Sequence, residues 1–81
     1  MENQNYIGEA IRRYRKEKGL SQDQLSRLSG ISYNTIVKLE KKNAEVNPTI
    51  GTLQKIAGVF GVAITMLISE IGRNYIQDLG K

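Results

Sequence analysis

With 81 residues the chain has room for one hydrophobic core, and a core of that size buries a limited share of its surface, so help from a partner chain is expected. It contains no Cys and no His, which removes disulfides, thiolate nucleophiles, imidazole bases and the usual zinc ligands together. The formal net charge of +4 is unevenly spread, because nine basic and five acidic residues precede Asn43 and three of each follow.

Residues 1–5 are polar and lack the apolar stretch of a signal peptide, and the most apolar run, residues 59–68, is shorter than the roughly 20 residues of a membrane span. The expectation is therefore a cytoplasmic protein with no membrane association. Ile7, Ala10, Ile11 and Tyr14 recur at helical spacing, which predicts a first helix over residues 6–18 that stops at Gly19 with Lys16 and Lys18 in its last turn.

The stretch from Leu20 to Leu39 organises the rest. Ser21 is an N-cap with Gln24 three residues later, completing a capping box, and Leu20 and Leu25 flank it as a hydrophobic staple. The same grammar repeats at Ser32, with Ile31 before it and Ile36 at the fourth helical position. Gly30 lies where the first of these two helices needs a left-handed residue to end, and Ser26 is small enough for a close crossing. This predicts helices over residues 22–29 and 33–42 joined by a tight corner. Helix, glycine-containing turn and helix is the pattern of a helix-turn-helix, whose second helix enters a major groove; the spacing alone equally describes an ordinary corner of two helices.

Residues 43–48 form a polar connector, and Pro48 ends any helical continuation. Thr49 caps a fourth helix with core positions Ile50, Leu53, Ile56, Ala57 and Phe60, and Gly61 stops it. Gly58 inside it costs about 1 kcal/mol relative to Ala and is read as a place for close packing. A fifth helix starts near Ala63, and Ile64, Leu67, Ile68, Ile71, Tyr75 and Leu79 keep helical spacing almost to Lys81, interrupted by Gly72. No strand or internal repeat is apparent, so the fold class expected is all-α, a five-helix arrangement with an extended C-terminal helix.

From Ile7 to Ile68 the chain resembles the Xre-type helix-turn-helix domains of phage Cro and repressor proteins. The segments that carry the likeness are Ile7-Gly-Glu-Ala-Ile-Arg-Arg-Tyr-Arg-Lys-Glu-Lys-Gly-Leu-Ser-Gln22, Ser29-Gly-Ile-Ser-Tyr-Asn-Thr-Ile36, Lys38-Leu-Glu40, Asn47-Pro-Thr-Ile50 and Leu53-Gln-Lys-Ile-Ala57. The domain expected is residues 1–68; residues 69–81 lie outside the resemblance and are read from their spacing as a C-terminal helical extension that serves dimerisation. It implies that Gln22 bonds a DNA phosphate and that Tyr33, Asn34 and Lys38 face the major groove, with Val37 on the same side. It also implies that Arg15 and Glu40 form a partly buried salt bridge. Ser26 stands where the family usually has Ala, which reads as a harmless size match. Ala63 replaces the usual Ser or Thr cap, so that helix start is expected to fray or to pack differently.

The chemistry of these residues agrees with that role. An Asn side chain pairs bidentately with adenine, a Lys donates to the N7 and O6 of guanine, and Val37 can touch a thymine methyl. Tyr33 can equally stack on a sugar or bond a phosphate. Gln22, Lys41, Lys42 and Asn43 are candidates for clamping the phosphate backbone, although for Lys41 and Lys42 a solvated helix end fits as well. Scattered carboxylates, with no phosphate-binding loop and no nucleophile beside a base, exclude an enzyme, and nothing calls for a metal or cofactor. The expectation is a sequence-specific double-stranded DNA-binding regulator of transcription, acting as a homodimer through Ile64, Ile68, Ile71, Tyr75 and Leu79. Rival readings are a controller protein of a restriction-modification system, an antitoxin that binds a protein toxin and represses its own operon, and a purely structural interaction module.

Overall fold

The computed structural model describes residues 5–42 and 47–67. Four helices follow in order: α1 (Tyr6–Glu17), α2 (Gln22–Ser29), α3 (Tyr33–Glu40) and α4 (Ile50–Phe60). Residues 64–67 are again helical, with the Met66 N–H bonded to the Ala63 carbonyl at 2.9 Å. No strand occurs among the described residues. The fold class is therefore the all-α class expected. Asn43, Ile68, Ile71, Tyr75 and Leu79 lie outside the described residues.

Apolar positions at helical spacing draw these elements together. α1 packs on α3 and α4, and α2 packs on the same two helices. Ile11, Leu25, Ile36, Ile56, Phe60 and Leu67 are almost wholly removed from solvent, and burying a side chain of this size contributes about 1.5–3 kcal/mol. Leu67 closes the core from the chain's later part, as its spacing predicted, and Ile64 is half-buried against the same cluster. Tyr14 stacks on Phe60 with ring centroids 5.6 Å apart.

Local chemistry sets the helix ends. Ser21 and Gln24 form the reciprocal capping box, the Ser21 hydroxyl accepting the Gln24 N–H at 3.0 Å and the Gln24 side chain accepting the Ser21 N–H at 2.8 Å. Gly30 ends α2 at φ 76°, a left-handed conformation in which any Cβ is strained. Ser32 and Thr49 cap α3 and α4 in the same way, each accepting the N–H three residues on.

Four expectations need correction, and the first is Ile50, which stands at the opening position of α4 and is 58% exposed instead of in the core. α3 ends at Glu40 instead of reaching residue 42, and Lys41 is already extended at ψ 131°. The cause is tertiary: the Asn5 amide donates to the carbonyls of Leu39 and Lys41 at 2.7 and 2.8 Å, which satisfies those acceptors without another helical turn. Gly58 is not a point of close packing, because an added Cβ would meet nothing within 4 Å. Ser26 is more than a small residue: its hydroxyl donates to the Ile31 carbonyl at 2.5 Å and so closes the corner between α2 and α3.

Candidate nucleic-acid interface

α3 divides into two faces. Ile36, Leu39 and Glu40 point inward and are buried, whereas Tyr33, Asn34, Val37 and Lys38 are exposed. Tyr33 and Val37 are spaced i, i+4, as are Asn34 and Lys38, so the four form two adjacent rows on one side of the helix. Exposure of Tyr33 at 48% and Val37 at 37% leaves part of an aromatic ring and of a branched methyl pair facing solvent. The sequence-predicted reading residues are thus brought together.

Beside this face runs an open groove lined by Arg12, Arg15, Gln22, Val37, Lys38, Glu40 and Lys41. Its floor is an ion pair. Arg15 Nε donates to Glu40 Oε2 and a terminal nitrogen donates to Glu40 Oε1, both at 2.8 Å, in the two-pronged geometry that suits guanidinium and carboxylate. The side chains of Arg15 and Glu40 retain 10% and 3% of their exposure. The remaining terminal nitrogen of Arg15 donates to the Leu20 carbonyl at 2.8 Å, while the Leu20 N–H returns to the Arg15 carbonyl at 3.0 Å. The hydrogen bond to Glu40 holds the Arg15 pKa above its ordinary guanidinium value, against the opposing effect of burial.

Gln22, at the first position of α2, donates its side-chain amide to Glu40 Oε1 at 3.3 Å. It therefore lies at the groove's edge with its head group oriented by the same carboxylate that neutralises Arg15. Lys41 lines the groove from just beyond α3, and Lys42 follows it, exposed. Since Arg15 is neutralised, the cations left over around the groove are Arg12, Lys38 and Lys41, none of which has an ion-pair partner among the described residues. Arg27, by contrast, is tied to Asp23 on α2.

Arg12 was missed from sequence because the basic run 12–18 reads as a solvated helix face. The available signal was its position three residues before Arg15, which sets it one turn away on the same side of α1. Arrangement and charge together suit an extended polyanion: exposed hydrogen-bonding side chains on the outward face of α3, flanked by cations without an ion-pair partner among the described residues and by the N-terminal N–H groups of α2. Among the described residues no three potential metal ligands come together, and no helix is long and apolar enough to cross a membrane.

Comparison with known proteins follows the same lines. A helix-turn-helix family model matches residues 11–67. The HTH-type transcriptional regulator SinR of Bacillus licheniformis is 36% identical over 64 residues, which cover 79% of this chain and 57% of that protein. The chain thus spans little more than half the length of that relative. Among solved structures, the biofilm master regulator SinR in complex with DNA superposes with a TM-score of 0.72 at 35% identity, covering 76% of this chain and 97% of that one. The complex of SinR with SinI gives a TM-score of 0.75 at 34% identity, covering 84% of this chain and 65% of that one.

Proposed function

Because the chain belongs to the helix-turn-helix family, we propose that it is a sequence-specific double-stranded DNA-binding regulator of transcription that works in the cytoplasm as a homodimer. The observation that carries this reading is the exposed side of α3 formed by Tyr33, Asn34, Val37 and Lys38, beside a groove whose three cations have no ion-pair partner among the described residues. The likeness to a SinR domain solved with DNA supports it.

In this reading α3 inserts into the major groove, and its first turn brings Tyr33 and Asn34 closest to the base edges. Asn34 and Lys38 read bases, Val37 fits against a thymine methyl, and Gln22, Lys41 and Lys42, together with Asn43, hold the phosphate backbone. Arg12 joins that clamp from α1. Arg15 and Glu40 touch no DNA, since their charges are spent on one another; their part is to fix the groove floor and orient Gln22.

Dimerisation rests on the sequence pattern of Ile64, Ile68, Ile71, Tyr75 and Leu79, which step by four, three, four and four residues. Two-fold symmetry sets paired recognition helices about one DNA turn, roughly 34 Å, apart. Selection of bound sequences from a random duplex pool tests the whole reading: a two-fold symmetric consensus is expected, and recovery of no consensus overturns it. Ile68→Asp combined with Ile71→Asp tests the interface, with a folded monomer expected by sedimentation; a double variant that remains dimeric and binds normally moves the dimer contact elsewhere.

A further inference from the structure

Asn5 precedes α1 as its N-cap, and it is one of the most buried polar residues described, 4% exposed. Its Oδ1 accepts the Gly8 N–H at 3.0 Å, the ordinary bond of an N-cap. That task needs an acceptor alone, and Ser, Thr or Asp performs it equally well. The amide nitrogen does something else: both of its hydrogens are committed to α3, one to the Leu39 carbonyl at 2.7 Å and one to the Lys41 carbonyl at 2.8 Å. Among the good N-cap residues only Asn combines an acceptor with two donors in one plane.

The backbone around it is shaped for that contact. A Cβ at Gly8 would lie 2.2 Å from the Leu39 carbonyl oxygen and 2.3 Å from Asn5 Nδ2, so α1 meets the end of α3 where only a glycine fits. Glu40, between the two captured carbonyls, is held by Arg15 from the other end of α1. Residues 39–41, the end of α3 and the residue after it, are thereby tied to α1 and its N-cap.

We propose that Asn5 is a positioning residue for DNA binding: its amide ends the recognition helix at Glu40 and sets Lys41 at the groove rim, ready to meet a phosphate. The inference rests on the DNA-binding reading above. It concerns affinity and leaves untouched the base choice made by Tyr33 and Asn34, because both lie at the opposite end of α3.

The variant that separates capping from positioning is Asn5→Ser, which keeps an acceptor for the Gly8 N–H and lacks both amide donors. Asn5→Thr is the second variant if the first does not fold, and duplex binding is measured at a temperature where circular dichroism shows wild type and variant folded. Selection at the base pairs read by Tyr33 and Asn34 should be unchanged, while affinity for every duplex drops about fivefold per bound protomer near 0.15 M salt and the salt slope becomes shallower by about one unit per protomer, the effect of one lost phosphate contact in each. Lys41→Ala should do the same to wild type and add little in the Asn5→Ser background, a non-additivity that general loosening of the fold does not produce. An unaltered slope in Asn5→Ser, or an equal effect of Lys41→Ala in both backgrounds, overturns the proposal. Absence of salt-dependent duplex binding by the wild-type chain is a different failure, that of the DNA-binding reading itself.

Discussion

Glu40→Ala strikes the groove floor where its partners are least able to adjust. Three nitrogen donors converge on the carboxylate, two from Arg15 at 2.8 Å and one from Gln22 at 3.3 Å. Truncation removes both oxygens and leaves the Arg15 charge, 8% exposed, with the Leu20 carbonyl as its remaining partner. Stranding a buried charge in this way costs about 3–5 kcal/mol. For a chain of this length the whole folding free energy is about 4–12 kcal/mol, so the variant should lose a large fraction of it. The midpoint of thermal unfolding should fall by roughly 12–40 °C at about 4–8 °C per kcal/mol. Urea unfolding is the sharper assay, because an unchanged slope with a lowered midpoint identifies a pure loss of stability. The double variant Arg15→Met, Glu40→Leu separates the pair's net worth from the cost of breaking it, and should recover most of the loss because no charge is left behind. In the fraction still folded, base preference should be that of the wild type. A Glu40→Ala loss below about 1 kcal/mol, or a double variant no more stable than Glu40→Ala, refutes the argument from burial.

Lys38→Ala and Asn34→Ala should each cost about 1–3 kcal/mol on the preferred duplex and relax selection at one base pair, checked by repeating the pool selection with each variant. Unchanged preference in both removes α3 from its proposed role. Ser26→Ala should destabilise by about 1 kcal/mol in urea because the Ile31 carbonyl loses its donor; a neutral result returns Ser26 to a matter of size. Gly58→Ala should raise stability by about 0.4–1 kcal/mol, since a Cβ there meets open space and the helix loses a flexible residue.

What the sequence made legible was chemistry complete within a few residues. The capping box needs Ser21 and Gln24 alone, the left-handed stop needs Gly30, and the inward and outward faces of α3 follow from helical spacing around Ile36 and Leu39. The Arg15–Glu40 pair was accessible only through the family likeness, because its members are 25 residues apart and nothing local links them. The amide half of Asn5 lay beyond both routes, although its place before α1 is an N-cap pattern. Its decisive partners are 34 and 36 residues away and are backbone carbonyls, which have no identity in a sequence. The end of α3 was misjudged for the same reason: Lys41 and Lys42 are good helix formers, and what stops the helix is an amide from another element.

An isolated helix of fewer than about 12–15 residues is marginal in water, and α3 has 8. Its shape must therefore come from its attachments. At the N-terminal end the Ser32 hydroxyl accepts the Thr35 N–H at 3.2 Å, while Ser26 and Ser29 bind the Ile31 carbonyl and N–H to α2. At the C-terminal end Asn5 and Arg15 bind residues 39–41 to α1. Between these clamps Ile36 and Leu39 are locked into the core, and the polar row of Tyr33, Asn34 and Lys38 is left free of internal partners among the described residues. Holding the helix by its ends and its back keeps every group on the outward row available while fixing the backbone that carries them. A helix so fixed loses little conformational entropy when it meets a groove, so the hydrogen bonds made by its outward row count more fully toward affinity.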